Sequence, residues 1–447
     1  MKRTFAIVLF LLAGLVAKAD GGAASVQSDV SGAQEQHLKS VVRVSEKEWD
    51  TSALRSAYFR QLSDKGIVRI VPHALYDSGG YVLYSDVRSH DRLVLRAGGN
   101  LSTSLPLQGY IGVDYDHSAR HPLNAWADVQ IGRVYNALCI GTWAAITTRL
   151  YLRGEMVAQQ FNYYEDNRFF YYDAPMTGVR QREYYLRIAG GTPLAMHTRF
   201  EAGSGVAFLH DRYRMSSESL LTEQSSDHSR YWATQFYATF EGNTLNRPMY
   251  PTTGQYWCVI LRAPASTERS ASEAYPENNT VKPLQWWVQG KGRWEGYFPL
   301  GRHFTLGAEG EGVWSSRNML GNYTATVIRS PHYAPTVHAR STYNSAYSAK
   351  QYVAAGVKPI VLFTPRWQLR MEGYVFAPLF DIECYSDNTA YYSEFMPTVR
   401  FITEASVVYT FNRGAASLYA NRYSSPANDW NVGINLGILM FHDKFID

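Results

Sequence analysis

The chain has few of the residues that build metal-stabilised or disulfide-stabilised domains. Only three of its 447 residues are cysteine, Cys139, Cys258 and Cys384, and they lie far apart in three separate segments. Structural zinc sites and disulfide frameworks require clustered cysteines, so the sequence predicts neither, and no metal ligands or cofactor are assigned. Charged residues make up 18% of the chain, below the roughly 25% typical of soluble domains.

The sequence also lacks an apolar run long enough to cross a membrane as a helix. The longest run, residues 5–17, falls short of the roughly 20 residues that a spanning helix needs. It follows two basic residues and precedes an A-x-A cleavage site at residues 17–19. This arrangement is typical of a secretory signal peptide, so we assign residues 1–19 to one. The alternative is a short buried N-terminal helix.

Net charge is small as well. The formal net charge of the chain is +4, and three of its basic residues belong to the predicted signal peptide. A nucleic-acid-binding chain of this size usually carries a basic patch or a high net charge, so nucleic acid is not an expected partner. Aromatic residues are abundant instead, with 33 Tyr, 20 Phe and 11 Trp. This abundance favours a membrane β-barrel, in which aromatic residues form girdles at both interfaces.

Alternation of apolar and polar residues dominates the chain after about residue 91. In residues 430–441, WNVGINLGILMF, large apolar side chains occupy every second position and Asn or Gly fills the others. Two further runs, WQLRMEGYVF and FITEASVVYTF, place Arg370, Glu372 and Glu404 on the face opposite to the aliphatic residues. Alternate residues of a strand point to opposite faces. Charges on one face suit a watery lumen, whereas a packed sandwich would bury them at high cost.

The region of residues 91–447 is therefore predicted to be an all-β, antiparallel transmembrane barrel. At roughly 20 to 25 residues per strand and connection, its length gives about 14 to 18 strands, and we predict 16. Two hydrophilic stretches, residues 209–231 and 263–283, are predicted to be extracellular loops. The string Ala-Gly-Ser-Gly at residues 202–205 is predicted to be a backbone kink.

The residues before the barrel are predicted to contain a small folded unit. Residues 20–36 are small and polar, which favours a flexible leader. Residues 37–90 read as a strand, a helix that a capping box opens at residues 45–48, and two more strands around residues 78–79. This β-α-β-β unit is too small to be an enzyme domain.

Three segments of the chain resemble a known family. Residues 91–115, with Gly-Gly-Asn, residues 247–257, with Tyr-Pro-Thr-Thr-Gly, and residues 352–441 are similar to the C-terminal half of the patatin-like phospholipases of Gram-negative outer membranes. These barrels belong to the bacterial surface antigen superfamily, together with the barrel-assembly factor and two-partner secretion pores. The resemblance implies a periplasmic polypeptide-transport-associated (POTRA) unit at residues 37–90, a 16-stranded barrel, and a place in the cell outer membrane. It also implies contact with outer-membrane lipid and insertion by the barrel-assembly machinery.

The chain departs from this family in two places. A patatin hydrolase needs a nucleophilic serine in G-x-S-x-G, and that motif is missing from the sequence, so the chain is predicted not to be an enzyme and has no catalytic residues. Superfamily members often carry Arg-Gly-Phe or Arg-Gly-Tyr at the tip of a loop that enters the lumen. The nearest match here is Lys350-Gln351-Tyr352, which is the candidate lid-loop motif.

The first and last barrel strands are predicted to meet at a seam. Its candidate residues are Gly98, Gly99 and Asn100 on the first strand and Gly433 and Gly437 on the last. Glycine contributes no side chain to strand packing, so the seam is expected to be weak. Lateral opening would let a client polypeptide add as a strand by β-augmentation.

Three functions are compatible with these features. The first is polypeptide translocation, assembly or surface display by a non-catalytic barrel. The second is a passive pore, solute channel or receptor. The third is a barrel subunit that serves a separately encoded patatin-like lipase.

Overall fold

A computed structural model describes most of the chain from residue 37 onward. The described residues are 37–44, 71–77, 80–88, 93–102, 108–117, 123–147, 150–164, 177–195, 197–213, 227–247, 249–271, 279–336, 339–341, 344–385, 389–411, 414–424, 430–437 and 441–446. The chain divides into two units, Met1–His37 and Leu38–Asp447. The predicted signal peptide, leader and first helix lie outside the described residues.

Three strands near the N-terminus form one sheet. They are β1 (His37–Val44), β2 (Val71–Asp77) and β3 (Gly80–Arg88), and the sheet has the order β1-β3-β2. The β2 and β3 strands pair antiparallel, and the sequence predicts two strands in this region.

The rest of the described chain forms a closed antiparallel barrel. Its strands are β4 (Leu93–Ser102), β5 (Gln108–His117), β6 (Leu123–Gly132), β7 (Tyr135–Ala145), β8 (Tyr151–Tyr164), β9 (Thr177–Ala195), β10 (Thr198–Tyr213), β11 (Asp227–Asn243), β12 (Gly254–Ala271), β13 (Thr280–Trp286), β14 (Gln289–Pro299), β15 (Phe304–Ser315), β16 (Tyr352–Leu362), β17 (Trp367–Pro378), β20 (Arg400–Phe411), β21 (Gly414–Tyr423) and β22 (Trp430–Gly437). A hairpin of β18 (Phe380–Cys384) and β19 (Ala390–Phe395) lies between β17 and β20.

Two of these segments act as one strand, which sets the strand number. Residues 265–270 of β12 pair with β13, and residues 254–262 of β12 pair with β14. Only residues 287–288 separate β13 from β14. Counted as one interrupted strand, they make a 16-stranded barrel of the described segments, which β22 closes by pairing with β4. The predicted fold class and strand number are confirmed.

The two faces of the barrel wall differ as the alternation predicts. In β22 the side chains of Trp430, Val432, Ile434 and Leu436 are exposed on the outside, while the alternate Asn and Gly residues are buried. Arg370 and Glu404 are buried on the inner side. The barrel therefore presents an apolar outer surface and a polar lumen.

Two sequence predictions about connections are wrong. Strands β10, β11 and β12 extend well into the polar stretches 209–231 and 263–283, which were predicted to be loops. Polar side chains are tolerated there because barrel strands can continue beyond the apolar band. The predicted kink at residues 202–205 is also absent from the described ladder, because β10 pairs through it on both sides without a register shift.

Helices are few in the described chain. One helix, α1 (Tyr323–Ile328), and two short 3-10 turns, Ala339–Ser341 and Ser345–Tyr347, lie in the connection between β15 and β16. No helix among the described residues is both long enough and apolar enough to span a bilayer.

Candidate functional site

A long connection crosses the lumen of the barrel. It comprises residues 316–351 between β15 and β16, here called the lumenal loop, and it carries α1. The helix begins at Asn322, whose side chain accepts a hydrogen bond from the backbone N–H of Ala325 at 2.7 Å. Its residues Ala325, Val327 and Ile328 are buried. Gln181 of β9, several strands away from β15, donates to the carbonyl of Ile328 at 3.3 Å, so the loop reaches the far wall.

The residue after α1 fixes the loop to that wall. Arg329 meets Asp211 of β10 with Nε 2.7 Å from Oδ2 and Nη2 2.6 Å from Oδ1. Its Nη1 also pairs with Glu183 of β9, and all three side chains are fully buried. A two-point guanidinium–carboxylate pair fixes orientation as well as distance. Arg329 therefore anchors the loop to β9 and β10.

The second half of the lumenal loop contacts the opposite wall. Tyr333 OH donates to Glu309 of β15 at 2.9 Å, and Thr336 Oγ1 donates to Glu404 of β20 at 3.1 Å. Tyr347 OH donates to the carbonyl of Phe401 at 2.7 Å. The loop is thus attached on two sides of the lumen.

The predicted lid-loop residues lie at the base of this loop. Lys350 Nζ donates to the carbonyl of Arg317 at 3.0 Å, and Gln351 Nε2 to that of Ser315 at 3.4 Å. Tyr352 opens β16. Burial, followed by the nearby charges of Arg317 and Lys282, lowers the pKa of Lys350 to about 7. The lumen-anchoring role of this motif stays a prediction.

Sequence reasoning missed Arg329. The signal was present in Ile328-Arg329-Ser330, where an arginine between an aliphatic and a small residue lies mid-way in a long inter-strand connection. The expected Arg-Gly-aromatic pattern directed attention to residues 350–352 instead.

The seam lies between β22 and β4. Of the described residues, Gly433 pairs with Ser102, Asn435 with Asn100, Leu436 with Gly99, and Gly437 with Gly98. The five predicted seam residues are therefore all located in this ladder. Tyr419 of β21 donates to Asn100 Oδ1 at 3.2 Å.

The last strand ends at Gly437. This glycine has φ +78°, which an L side chain rarely adopts, and an added Cβ would lie 2.4 Å from the carbonyl oxygen of Ala97. Continued register would place Phe441 beside Val94. Its ring instead lies 5.1 Å from that of Tyr135 on β7. The chain has therefore turned into the lumen by Phe441, and the described pairing of β22 with β4 is confined to residues 98–102 of β4.

Residues 441–446, here called the C-terminal segment, lie along the lumenal side of β7, β8 and β9. Tyr185 OH donates to the carbonyl of Asp443 at 2.8 Å, and Arg187 Nη2 to that of Lys444 at 3.2 Å. Phe445 and Ile446 are fully buried.

One set of described residues has donor atoms suitable for a metal. Asp128, Cys139 and His442 place one ligand atom each within 4.8 Å of one another. Carboxylate, thiolate and imidazole are ordinary zinc ligands. However, Asp128 Oδ1 also lies 3.3 Å from Arg96 Nη2 and accepts a hydrogen bond from Tyr110 OH. The adjacent guanidinium opposes a cation there, so we assign no metal to this set.

The charged residues singled out in the alternating strands form lumenal ion pairs and hydrogen bonds. Arg370 Nε lies 2.8 Å from Glu372 Oε1. Glu404 accepts hydrogen bonds from Thr336 and from Asn421. Such ladders satisfy buried charge.

These features define a class, the closed 16-stranded antiparallel barrel with a loop inside its lumen. Among solved structures, BamA from Haemophilus ducreyi lacking POTRA domains 1–3 is similar, with TM-score 0.50, 11% identity, and coverage of 85% of this chain and 77% of that chain. CdiB from Escherichia coli matches with TM-score 0.47, 10% identity and coverage of 82% and 67%. CdiB from Acinetobacter baumannii matches with TM-score 0.46, 8% identity and coverage of 83% and 66%. No protein-family model and no curated protein matches the chain. The likeness to BamA shows the fold.

Proposed function

We propose that the chain is an outer-membrane barrel of a Gram-negative bacterium that opens laterally between β4 and β22 for polypeptide translocation, assembly or display. The observation that carries the proposal is the short described ladder between the last strand, β22, which ends at Gly437, and the first strand, β4. The described β22–β4 pairing is confined to residues 98–102 of β4, with glycines on both strands. On opening, a polypeptide strand could add to the released edge of β4 through main-chain hydrogen bonds.

The outer surface supports a membrane location. Leu95, Phe236 and Trp232 are 72%, 71% and 69% exposed, and they project from two barrel strands, β4 and β11. Large apolar side chains so exposed to water would be unfavourable, whereas lipid accommodates them. Lipid is therefore proposed as the surrounding medium, and insertion is assigned to the barrel-assembly machinery.

The N-terminal residues complete the proposal. The signal peptide at residues 1–19 would direct export, and residues 37–90 would form the periplasmic POTRA-like unit. The sheet order β1-β3-β2 supports this, because the edge strands β1 and β2 are the ones that a helix would connect. Related patatin-type barrels join such a unit to a hydrolase, but this chain is proposed to act without catalysis.

A crosslink across the seam tests lateral opening. Asn435 and Asn100 are paired directly, and both are buried in the lumen. Both are replaced by cysteine in a chain whose own three cysteines are removed, and a short thiol-reactive crosslinker then bridges the pair. The probe is a synthetic peptide of residues 430–441 with a photoreactive benzoyl-phenylalanine in place of Ile434. Adducts are mapped by mass spectrometry in lipid vesicles.

The neighbouring ladder provides a matched control. Asn421 and Asn431 are also a directly paired, lumen-facing Asn pair, but they join β21 to β22. We expect peptide adducts on β4 in the unbridged protein. Bridging the seam should lower the adduct yield at least tenfold, whereas bridging the control pair should leave it unchanged. Equal adduct yield with and without the seam bridge would remove the mechanism.

Single-channel conductance separates this proposal from a passive pore. The lumenal loop and the C-terminal segment both occupy the lumen, so we expect low conductance with brief openings. A steady large conductance would favour the pore or receptor instead.

A further inference from the structure

The lumen wall binds the backbone of the C-terminal segment at several points. Tyr185 and Arg187 donate to the carbonyls of Asp443 and Lys444, and Gln159 Nε2 also approaches the carbonyl of Asp443 at 3.4 Å. These donors are side chains of the lumen wall and not main-chain groups of a sheet.

The amide groups of the segment are bound in the same way. Glu183 Oε2 accepts from the N–H of Phe445 at 3.1 Å, and Tyr135 OH accepts from that of His442 at 3.2 Å. Every residue except proline carries these carbonyl and amide groups, so these contacts recognise the main chain. Lys444 adds a side-chain contact, because its Nζ donates to Gln181 Oε1 at 2.7 Å.

One side chain of the segment occupies a defined pocket. The ring of Phe445 lies 5.4 Å from that of Tyr185, and the guanidinium of Arg187 lies 5.5 Å from its centroid. Gly205 of β10 makes room for it, because an added Cβ there would lie 2.9 Å from Phe445 Cε2. The pocket therefore suits one flat aromatic side chain.

The pocket adjoins the anchor of the lumenal loop. Glu183 pairs with Arg329 through Oε1 and accepts from Phe445 through Oε2. Phe445, Ile446 and Ile328 belong to one buried apolar cluster. Occupancy of the pocket and the position of the loop are thus linked through a single carboxylate.

We propose that this wall surface, formed by Tyr135, Gln159, Glu183, Tyr185 and Arg187 together with the space at Gly205, is a binding site for a polypeptide segment bearing an aromatic residue. The C-terminal segment is its intramolecular occupant. The inference rests on the proposed function, since a translocated or assembling polypeptide is the ligand with this chemistry. A client segment displaces the C-terminal segment and satisfies the same donors and acceptors.

Peptide binding tests the site without requiring the seam to open. The probe is fluorescein-labelled HDKFID, the sequence of residues 442–447, and the control probe is HDKSID. Binding is measured by fluorescence anisotropy on the purified full chain in detergent. Phe445→Ser frees the pocket, and Gly205→Val fills it. Gly154→Val is the matched control, because nothing lies within 4 Å of a Cβ at Gly154.

We expect Phe445→Ser to bind HDKFID at least tenfold more tightly than wild type does. Phe445→Ser should also bind HDKSID at least tenfold more weakly than it binds HDKFID. Adding Gly205→Val should abolish binding, whereas adding Gly154→Val should not. Equal affinity of wild type and Phe445→Ser, or no preference for the aromatic probe, would overturn the proposal.

A second measurement covers the case in which Phe445→Ser does not fold. A nitroxide label on Asp447→Cys, with the other cysteines removed, reports displacement of an intact C-terminal segment. Excess HDKFID should mobilise the label and HDKSID should not, and an immobile label with both probes contradicts the site. If HDKFID neither binds nor mobilises the label while the seam bridge still blocks strand addition, only this inference is overturned. If HDKFID binds at this site while the seam bridge has no effect on strand addition, the lateral-opening proposal is overturned.

Discussion

Arg329 and Asp211 form a two-point ion pair across the lumen, with the two nitrogen–oxygen distances at 2.7 and 2.6 Å. The guanidinium also pairs with Glu183, and none of the three side chains is exposed to solvent. Burying charges is costly unless they are paired and hydrogen-bonded. The pair therefore specifies one position of the lumenal loop, and loss of the guanidinium removes the arginine partner of two buried carboxylates.

Replacing Arg329 should destabilise the barrel strongly. Breaking a buried pair from one side costs about 3–5 kcal/mol, so Arg329→Ala should lower the free energy of unfolding by that order. Arg329→Lys keeps the charge but loses the two-point geometry, and it should fall in between. Unfolding in denaturant, followed by heat-modifiable gel migration, measures both effects.

The control for this prediction is Arg400→Ala. Arg400 also makes a two-point pair, with Asp381 at 2.9 and 2.7 Å, but it is partly exposed. Partly solvated pairs contribute about 1 kcal/mol or less. Equal destabilisation by Arg329→Ala and Arg400→Ala would contradict the anchoring role.

Gly437→Ala should weaken the end of the last strand. The positive φ of Gly437 costs an L-residue about 1–2 kcal/mol, and the new Cβ would also contact the carbonyl oxygen of Ala97. We expect a lower unfolding midpoint and faster hydrogen exchange of β22 amides. Gly154→Ala, which adds a Cβ in open space, should leave both unchanged; a shift of the same size there would show that the backbone of Gly437 is not special.

Local patterns predicted the barrel wall well. Alternation in residues 430–437 assigns each side chain to the outer surface or the lumen, because a strand has a period of two whatever its neighbours are. The same dependence on local pattern explains why strand residues in the stretches 209–231 and 263–283 were predicted to be loops. A polar stretch such as residues 209–213 reads as a loop, yet it continues β10 because β9 and β11 pair with it.

The lumen could not be predicted in this way. Arg329 and Asp211 are 118 residues apart in the chain, and Phe445 and Glu183 are 262 apart. No local periodicity encodes such partners, and an arginine in a loop is ordinarily exposed. The pairing of the seam glycines could be predicted, because a barrel closes by pairing its first strand with its last strand.

The three cysteines should react at different rates. Cys139 and Cys258 are buried, and Cys384 is exposed on the β18–β19 hairpin. A maleimide–polyethylene glycol reagent should add once to the folded protein and three times after boiling in SDS. Cys384→Ser should abolish the first addition. Rapid double or triple labelling of the folded barrel would contradict the burial of the other two.

Lys350 should make stability depend on pH. Burial lowers its pKa to about 7 in the folded protein, whereas the unfolded chain has the ordinary value of roughly 10.4. Between these values the unfolded state binds more protons, so the free energy of unfolding rises with pH, by at most about 1.4 kcal/mol per pH unit. Below pH 7 both states are protonated and the contribution of Lys350 is constant.

The measurement is the difference between wild type and Lys350→Met, which cancels the other titrating groups. The stability of wild type relative to Lys350→Met should rise as pH rises from 7 to 10. Below pH 7 this difference in stability should be constant. Arg302→Gln, which removes an exposed charge in the turn between β14 and β15, serves as the control and should show no such slope. Parallel pH profiles for wild type and Lys350→Met would mean that the ammonium group is solvated and that the base of the lumenal loop is open to water.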